Sequence, residues 1–510
     1  MELIRDTIRI CETMSRGTTQ AMADGDIIVP DIKPDILKIL QVDADACVTD
    51  KYIENGRLII NGRVDYKVLY IPDKENVRIK SILTSMEFKQ VIDAGGADAD
   101  VKPIITVSVE RVEFSAVNSR KLKLRAVVGI DYELCRITET DICTDVEAET
   151  AERKKQKIDF ENTVDISEHD FTLKESIEVP SGQTSISEIL KTDVRISDTE
   201  YKTVTGKVIV KGNAGICVLY TDEDGEIKYI ESETPFTEVF DADGVGENTI
   251  CDIDYCVMGV MCEAQPDSDG DMRIAELDID VEAVIRGVEP EEKEILSDCF
   301  IPCRDTKCDT ERIRLTETVE RPSVQNTLRE IIDFPSNIPG VRGVYNVMTN
   351  AAVSKAELQR SRIICEGKIE AYILYLTDSG ENPVYSYKKD IPFSYMLDCE
   401  NGELMPEVNI KAVVKHVSYN LNSAGGLELR CLLDIESKLQ KVTEIDNITD
   451  ITAEEKEKRN GIVVYFSREG DTLWDIAKRY AVPQSMIQKY NNVDSESIGS
   501  RMKIFIPKAL

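Results

Sequence analysis

One sequence pattern occurs three times in the first 445 residues, and it restricts this chain to a fold built from repeated units. In each copy a glycine follows a proline by 32 residues and precedes a Leu-Tyr pair by seven residues. The glycines are Gly62, Gly212 and Gly367, so the copies are spaced by 150 and then 155 residues. A phenylalanine follows each glycine by 26, 24 and 26 residues. The matching positions are Pro30, Pro180 and Pro335; Leu69-Tyr70, Leu219-Tyr220 and Leu374-Tyr375; and Phe88, Phe236 and Phe393.

Within each copy the apolar residues, rich in Val, Ile and Tyr, mostly alternate with polar ones. This period of two predicts half-buried antiparallel strands, and Gly, Asn and Asp clusters mark the turns between them. We therefore expect a mainly β protein with three tandem β-sandwich-like repeats of about 110–130 residues, each able to bury its own core. The repeated glycine is expected to permit a bulge or a close strand contact. Helix is expected to be minor, at residues 2–14 and from Ser185 to Lys191.

The units are placed at residues 1–150, 155–295 and 320–442. Residues 443–460 are charged and low in apolar content, which is typical of a mobile or helical linker. A separate module follows at residues 461–510.

Charge excludes some classes of partner. The chain has 62 Lys and Arg against 95 Asp and Glu, a net charge of −33. Nucleic acid and anionic membrane surfaces are therefore poor partners for the chain as a whole. Residues 461–510 differ, because seven Lys and Arg against five Asp and Glu give that module a charge of +2.

The N-terminal residues contain no apolar core of signal-peptide length. No apolar run approaches the roughly 20 residues that span a bilayer. The 14 cysteines are scattered through apolar segments, so we expect a reducing cytoplasm with thiols that act mostly as small buried hydrophobes.

Signals of catalysis are few. The two histidines, His169 and His416, lie in a polar segment and in a strand pattern, and no nucleophile, zinc-protease or P-loop motif accompanies them. We therefore expect no enzyme, no catalytic residue and no cofactor. The Asp-Ser-Asp-Gly-Asp sequence at 267–271 lacks the spacing of a calcium loop and is expected to be a plain hairpin turn.

Three cysteines, Cys299, Cys303 and Cys308, form the densest thiol cluster. A zinc site normally needs four ligands, and the sequence offers no clear fourth. No metal is therefore expected. The alternative is a set of free thiols that cross-link when their surroundings become oxidising.

The last fifty residues have the pattern strand, two short helices and strand. Thr472 and Asp475 have the spacing of a capping box, which predicts the start of the first helix. The apolar residues Leu473, Ile476, Ala477 and Tyr480 then follow at the spacing of one helix face.

This C-terminal module resembles the LysM module, and the matching residues cover its whole length. LysM modules typically bind glycans that contain N-acetylglucosamine, such as peptidoglycan. One departure is that Arg501-Met502 replaces the usual Gly-Gln before the last strand. The matching residues are Gly470-Asp471-Thr472-Leu473, Ile476-Ala477, Tyr480, Val482, Ile487, Asn491 or Asn492, Ile498 and Ile504-Phe505-Ile506-Pro507.

Three such repeats followed by one LysM module resemble the SipL-type spore coat morphogenetic proteins of clostridia, whose repeated segment is the SPOCS domain. The resemblance implies a non-enzymatic scaffold for spore coat assembly, made in the mother-cell cytoplasm and recruited to the forespore surface and spore coat. It implies that the LysM docks to a coat-basement morphogenetic ATPase, with other coat proteins as further partners. The alternative is a cell-wall or cortex protein that binds peptidoglycan.

Each of the two interpretations, docking to a protein partner and binding of peptidoglycan, has its own candidate site residues. For contact with a protein partner they are Trp474, Ile462, Lys478, Arg479 and Lys489. Trp474, the only tryptophan, lies at the edge of the predicted helix face, where it either meets a partner or covers the small core of the module. For glycan binding the candidates are Gly470, Asp471, Thr472, Asn491 and Asn492.

Overall fold

The computed structural model confirms a mainly β protein with three repeated two-sheet units and a small module of two strands and two helices. It describes residues 2–74, 79–98, 100–377, 379, 384–404, 406–422, 425–455, 461–491, 498 and 501–508.

Each unit contributes six strand positions in the same order along the chain. In the third unit the first position is split into two strands at Arg321-Pro322, because proline cannot donate to a strand ladder. The first unit contains β1 (Leu3–Ile28), β2 (Ile36–Glu54), β3 (Arg57–Pro72), β4 (Lys80–Asp93), β5 (Val101–Asn118) and β6 (Lys121–Val146). The second contains β7 (Glu152–Glu178), β8 (Ile186–Val204), β9 (Lys207–Asp222), β10 (Ile227–Asp241), β11 (Ile250–Pro266) and β12 (Met272–Phe300). The third contains β13 (Arg304–Glu320), β14 (Ser323–Ile332), β15 (Val341–Gln359), β16 (Arg362–Thr377), β17 (Val384–Asp398), a 3-10 turn (Gly402–Leu404), β18 (Glu407–Leu421) and β19 (Leu427–Glu455). The C-terminal module contains β20 (Gly461–Phe466), α1 (Leu473–Tyr480), α2 (Gln484–Asn491) and β21 (Lys503–Lys508).

The two sheets of a unit pack face to face and enclose its buried residues. In the first unit, β2-β3-β4 forms one antiparallel sheet and β1-β6-β5 the other. Leu58 on the first sheet and Leu122 on the second are fully buried in the same apolar cluster. The Leu-Tyr pair ends the central strand, and the Tyr70 hydroxyl donates to the Pro34 carbonyl at 3.1 Å. The alternation of apolar and polar residues along the strands therefore gives the predicted half-buried sheets, because it places the apolar side chains on the inner face of each sheet.

The repeated glycine lies opposite the repeated phenylalanine on the neighbouring strand, as in the pair Gly62 and Phe88. On its other side the strand register shifts between Val48 and Asp50. The same arrangement occurs at Gly212 and at Gly367. The expectation of a bulge or a close strand contact is confirmed, and both features are present.

Three expectations about local structure were wrong. Residues 2–14 and Ser185 to Lys191 were expected to contain helix, but residues 3–28 and 186–204 are strands that pair with β6 and β9. Residues 443–455 were expected to begin a linker, but β19 runs through them to Glu455. The physical reason is tertiary pairing: Ile445, Ile448 and Ile451 are buried against the other units, and β13 pairs with this segment along its length. Residues 456–460 lie outside the described part of the chain.

The three units pack around one another through equivalent residues. Leu69, Leu219 and Leu374, the leucines of the Leu-Tyr pair, are buried together in one cluster. A second cluster joins the long strands of all three units, with Ile8, Ile158 and Ile445 among its members. The repeats thus form one body, and not three separate domains in a row.

A cavity of about 1120 Å³ is lined by residues of all three units. At its wall Lys191, whose side chain is 3% exposed, bonds Asp43 of the first unit at 2.5 Å and Asp193 at 3.1 Å. Lys67 of the first unit reaches Asp193 at 3.1 Å. Among the residues that the structure describes, no helix has the length and hydropathy to span a bilayer.

Candidate functional site

Helix α1 carries three of the five residues predicted to contact a partner, Trp474, Lys478 and Arg479. Thr472 accepts a hydrogen bond from the Asp475 backbone N–H at 3.1 Å, and the Asp475 carboxylate accepts the Thr472 N–H at 3.2 Å. This is the capping box that the spacing predicts. The helix ends at Ala481 in the left-handed region, with φ 52°. These two caps define an eight-residue helix and orient its first turn.

Trp474 lies against the repeat body of the same chain. Its side chain is 6% exposed, and its indole N–H donates to Asp298 Oδ2 at 2.8 Å. The indole also meets the Phe300 ring edge-to-face, with centroids 5.2 Å apart. Asp298 and Phe300 both lie at the end of β12. Trp474 therefore does more than cover the LysM-like core: it joins the module to the second unit.

Two further contacts complete this junction. Lys478 Nζ lies 2.5 Å from Asp298 Oδ1, so one carboxylate receives both the lysine and the indole. The Cys303 backbone N–H donates to the Ala481 carbonyl at 2.8 Å. We call Asp298, Phe300 and Cys303 the module seat. Helix α1 is held on the seat by an apolar ring contact, a charge-assisted pair and a backbone bond.

Arg479 has a different role in the module. Its guanidinium donates to the Tyr465 hydroxyl at 2.9 Å, and that hydroxyl donates to Asp471 at 2.6 Å. The Asp471 carboxylate also accepts the Arg468 backbone N–H at 2.8 Å. This backbone bond and the bond from Tyr465 lower the pKa of Asp471. The network ties α1 to the turn before it, with Arg479 on the exposed side.

The opposite side of the module carries exposed apolar side chains. Ile462 on β20 is 61% exposed and Phe466 is 62% exposed, with Val464 between them. Phe505 lies across from Val464 on β21, with Lys503 Nζ 4.8 Å from its ring centre. We call Ile462, Val464, Phe466 and Phe505 the outer face. Lys489 is exposed on α2.

The residues predicted for glycan binding have structural partners. Gly470 has φ 89°, a left-handed turn that favours glycine, and Asp471 and Thr472 make the turn and cap bonds above. Asn491 receives the Phe505 N–H at 2.7 Å and donates to the Phe505 carbonyl at 2.7 Å, which ties α2 to β21. Asn492 lies outside the described residues.

The two histidines do not form a site together. His169 lies on β7, stacks on Phe240 with centroids 4.8 Å apart, and has Ser167 Oγ 3.1 Å from Nε2. His416 lies on β18 of the third unit, paired with Leu432. Within the described part of the chain, no group of three or more His, Cys, Asp or Glu could hold a metal ion.

Of the thiol cluster, the structure brings two members together. Cys299 Sγ lies 3.8 Å from Cys308 Sγ, and Cys308 Sγ lies 3.5 Å from the Cys299 carbonyl oxygen. The hydrogen bond from Cys299 lowers the pKa of Cys308 to about 7, against the effect of burial and with help from Lys478. The bond to Cys308 and burial raise the pKa of Cys299. Cys303 is exposed.

Sequence reasoning missed two groups of residues. Asp298 is one of 95 acidic residues, and no local pattern distinguishes it as the acceptor for Trp474. Val464 and Phe466 do carry a signal, because they share the period of two with Ile462 and therefore the same face of β20.

Comparison with family models identifies the repeats and the module. The model of the SipL, SPOCS domain matches residues 35–117, 185–265 and 341–422. The model of the LysM domain matches residues 468–507. Searches of curated proteins and of solved structures returned no match.

Proposed function

We propose, from the premise that this chain has the SipL-type arrangement of three SPOCS domains and a C-terminal LysM domain, that it is a non-enzymatic scaffold for spore coat assembly. The two families are non-catalytic binding domains, and their combination supports a sporulation-related role in the coat or in peptidoglycan binding. In our proposal the LysM docks to a coat-basement morphogenetic ATPase on the forespore surface. Other coat proteins are further partners, and the chain is made in the mother cell and recruited to that surface.

The observation that carries this proposal is the outer face of the LysM. Four apolar side chains lie side by side on a two-stranded sheet, and among the residues that the structure describes none covers Ile462 or Phe466 enough to bury them. Exposed apolar patches of this kind mark contact sites for other proteins. The polar side chains that a sugar would need, Asp471, Thr472 and Asn491, already make bonds within the module.

The five residues predicted for partner contact divide into two groups in this proposal. Ile462, Arg479 and Lys489 are exposed: Ile462 belongs to the apolar outer face, and the two cations lie on the helices, where their positive charge suits an acidic protein surface. Trp474 and Lys478 hold the LysM on its seat and so set the direction in which the outer face points. A partner that displaced the seat would contact those two residues directly.

A capture experiment with the full chain tests the proposal. Ile462→Asp places a charge on the outer face at its most exposed aliphatic side chain, and we expect it to reduce capture of the morphogenetic ATPase at least tenfold, since loss of an apolar anchor costs about 2 kcal/mol or more. Ile331→Asp is the matched control, because Ile331 on β14 is also 61% exposed but lies far along the chain from the LysM. Equal capture by wild type and Ile462→Asp would contradict the proposal.

Peptidoglycan binding is the second candidate, favoured by the LysM match over residues 468–507. Under this reading the turn from Gly470 to Thr472 and Asn491, with Asn492, meets the glycan. Co-sedimentation of the full chain with purified peptidoglycan distinguishes the two. Retention on peptidoglycan that Ile462→Asp leaves unchanged, together with no capture of the ATPase, would favour the glycan reading.

A further inference from the structure

A pair of thiols lies directly behind the LysM seat. Cys299 is the residue after Asp298 near the end of β12, and Cys308 lies on β13 of the third unit. Their sulfur atoms are 3.8 Å apart, close to van der Waals contact. A disulfide needs an S–S separation of about 2.0 Å, so the two sulfur atoms must move closer together to form one.

We propose that Cys299 and Cys308 are a redox-modification site that forms a reversible intramolecular disulfide when a peroxide reaches Cys308. The proposal is independent of the partner that the LysM binds.

The two thiols have different surroundings, and these indicate which thiol reacts with the peroxide and which one then forms the disulfide. Cys308 is half-buried, and its pKa is lowered to about 7 by the hydrogen bond from Cys299. Lys478, which bonds the neighbouring Asp298, adds to this effect. Cys299 is fully buried and its pKa is raised. Because the thiolate is the nucleophile, Cys308 attacks first and Cys299 is the resolving thiol.

The reaction balances with peroxide as the only oxidant. The Cys308 thiolate attacks one peroxide oxygen, the O–O bond breaks, and a sulfenic acid and hydroxide are formed. The Cys299 sulfur then attacks the Cys308 sulfur as its proton leaves. The S–S bond forms, the S–O bond breaks, and the departing hydroxide takes up a proton. In total, two thiols and one hydrogen peroxide give one disulfide and two waters, with the sulfurs oxidised and the peroxide reduced.

The position of the pair gives the modification a structural consequence. Asp298 holds Trp474 and Lys478, and it also accepts a weak 3.8 Å contact from the Cys308 thiol. A disulfide removes that thiol and covalently joins the seat segment to β13. The seat of the LysM would then be tied to both the second and the third unit.

Peptide mapping of the full-length protein tests the proposal. Reduced protein is treated with hydrogen peroxide, blocked with N-ethylmaleimide and digested with trypsin without reduction. Cys308 falls in the peptide of residues 308–312, whereas Cys299 and Cys303 share the peptide of residues 294–304. We expect these two peptides to be linked, in a form that dithiothreitol separates.

Two variants decide which cysteine is linked. The linkage should persist in Cys303→Ser and disappear in Cys299→Ala. Its persistence in Cys299→Ala, its loss in Cys303→Ser, or over-oxidation of Cys308 without any linkage would overturn the proposal. Mapping also separates this pair from Cys11 and Cys135, a second pair of neighbouring thiols on β1 and β6.

The reactivity of Cys308 gives a second measurement. Its alkylation by iodoacetamide should reach half of its maximal rate near pH 7. In Cys299→Ala the hydrogen bond is lost, so the profile should move to higher pH and the rate at pH 7 should fall about tenfold. An unchanged profile would contradict the assigned roles. Unchanged Trp474 fluorescence would show that the variant keeps the LysM on its seat.

Discussion

At Gly367 the third unit has no room for a side chain. A Cβ atom there would lie 2.4 Å from the Ala352 carbonyl oxygen and 2.4 Å from Phe393 Cζ. The backbone oxygen belongs to the neighbouring strand and cannot move without disturbing the sheet. The aromatic ring lies over the glycine from the other strand, an arrangement that compensates for the missing side chain.

We therefore predict that Gly367→Ala lowers the free energy of unfolding by about 1–3 kcal/mol, the usual cost of overpacking a core. Gly343→Ala is the matched control in the same unit, because a Cβ atom there meets nothing within 4 Å. Urea unfolding of the two variants checks the prediction. Equal stability of both variants would mean that the sheet opens at Gly367 more easily than its geometry indicates.

Gly367 and Phe393 also show how much of a contact can be predicted from the sequence alone. The offset between glycine and phenylalanine was visible in all three copies, and a close strand contact was the natural interpretation. That the phenylalanine is the contacting residue was not visible, because an offset of 24 or 26 along the chain becomes a cross-strand neighbour only when the intervening turn is known.

At the scale of elements, the attachment of α1 to β12 depends on one carboxylate. Asp298 accepts both the Trp474 indole N–H and the Lys478 ammonium, and Phe300 supplies the apolar part of the contact. Because Trp474 is the only tryptophan, its fluorescence reports this attachment without a label. Asp298→Ala leaves the indole N–H and the ammonium without their common acceptor.

We predict that Asp298→Ala weakens the attachment by about 1–2 kcal/mol, discounted for the partial exposure of the pair. The tryptophan emission should shift to longer wavelength, and acrylamide should quench it more strongly than in wild type. Asp446→Ala, at an exposed carboxylate 3.7 Å from Arg312, should change neither quantity. Identical quenching of Asp298→Ala and wild type would show that Phe300 and the backbone bond from Cys303 hold the helix without the carboxylate.

The elements themselves were predictable to different degrees. The LysM helix α1 could be derived from its capping box and its apolar spacing, since both signals are local. The first strand could not, because Ile4, Ile8 and Cys11 have helical spacing while their actual conformation is set by pairing with β6, more than a hundred residues away. The prediction of a linker at residues 443–455 was wrong for the same reason, because this segment pairs with β13. Where long-range pairing decides, a local pattern is a weak guide.

At the scale of the whole molecule, the repeats determine the number of units but not their packing. Leu69, Leu219 and Leu374 have the pattern of residues buried inside a unit, and nothing in the sequence indicates that they meet each other. Contacts between units use the same residue types as the cores, so composition does not separate them. The charged residues at the cavity could not be predicted either, because no sequence pattern distinguishes them from the many other charged residues of a strongly acidic chain.

Lys191 holds the first and second units together in that cavity. It is almost fully buried and bonds Asp43 of one unit and Asp193 of the other. Lys191→Met leaves both carboxylates without this cation, and we predict that it lowers the free energy of unfolding at pH 7 by about 2–4 kcal/mol. Lys174→Met removes an exposed lysine 3.4 Å from Asp278 and should cost no more than about 0.5 kcal/mol.

The pH dependence provides the sharper check, because it follows Asp193. Burial alone would raise the pKa of Asp193, but the attraction of Lys191 and Lys67 is larger and lowers it below the ordinary 3.8. A lowered pKa stabilises the fold above the ordinary value, and this stabilisation is lost as the pH falls through the lowered value. The difference in unfolding free energy between wild type and Lys191→Met should therefore be large at pH 7 and smaller at pH 3. Urea unfolding at both pH values and constant ionic strength measures it, and an equal difference at the two pH values would mean that the carboxylates do not depend on Lys191 for their charge.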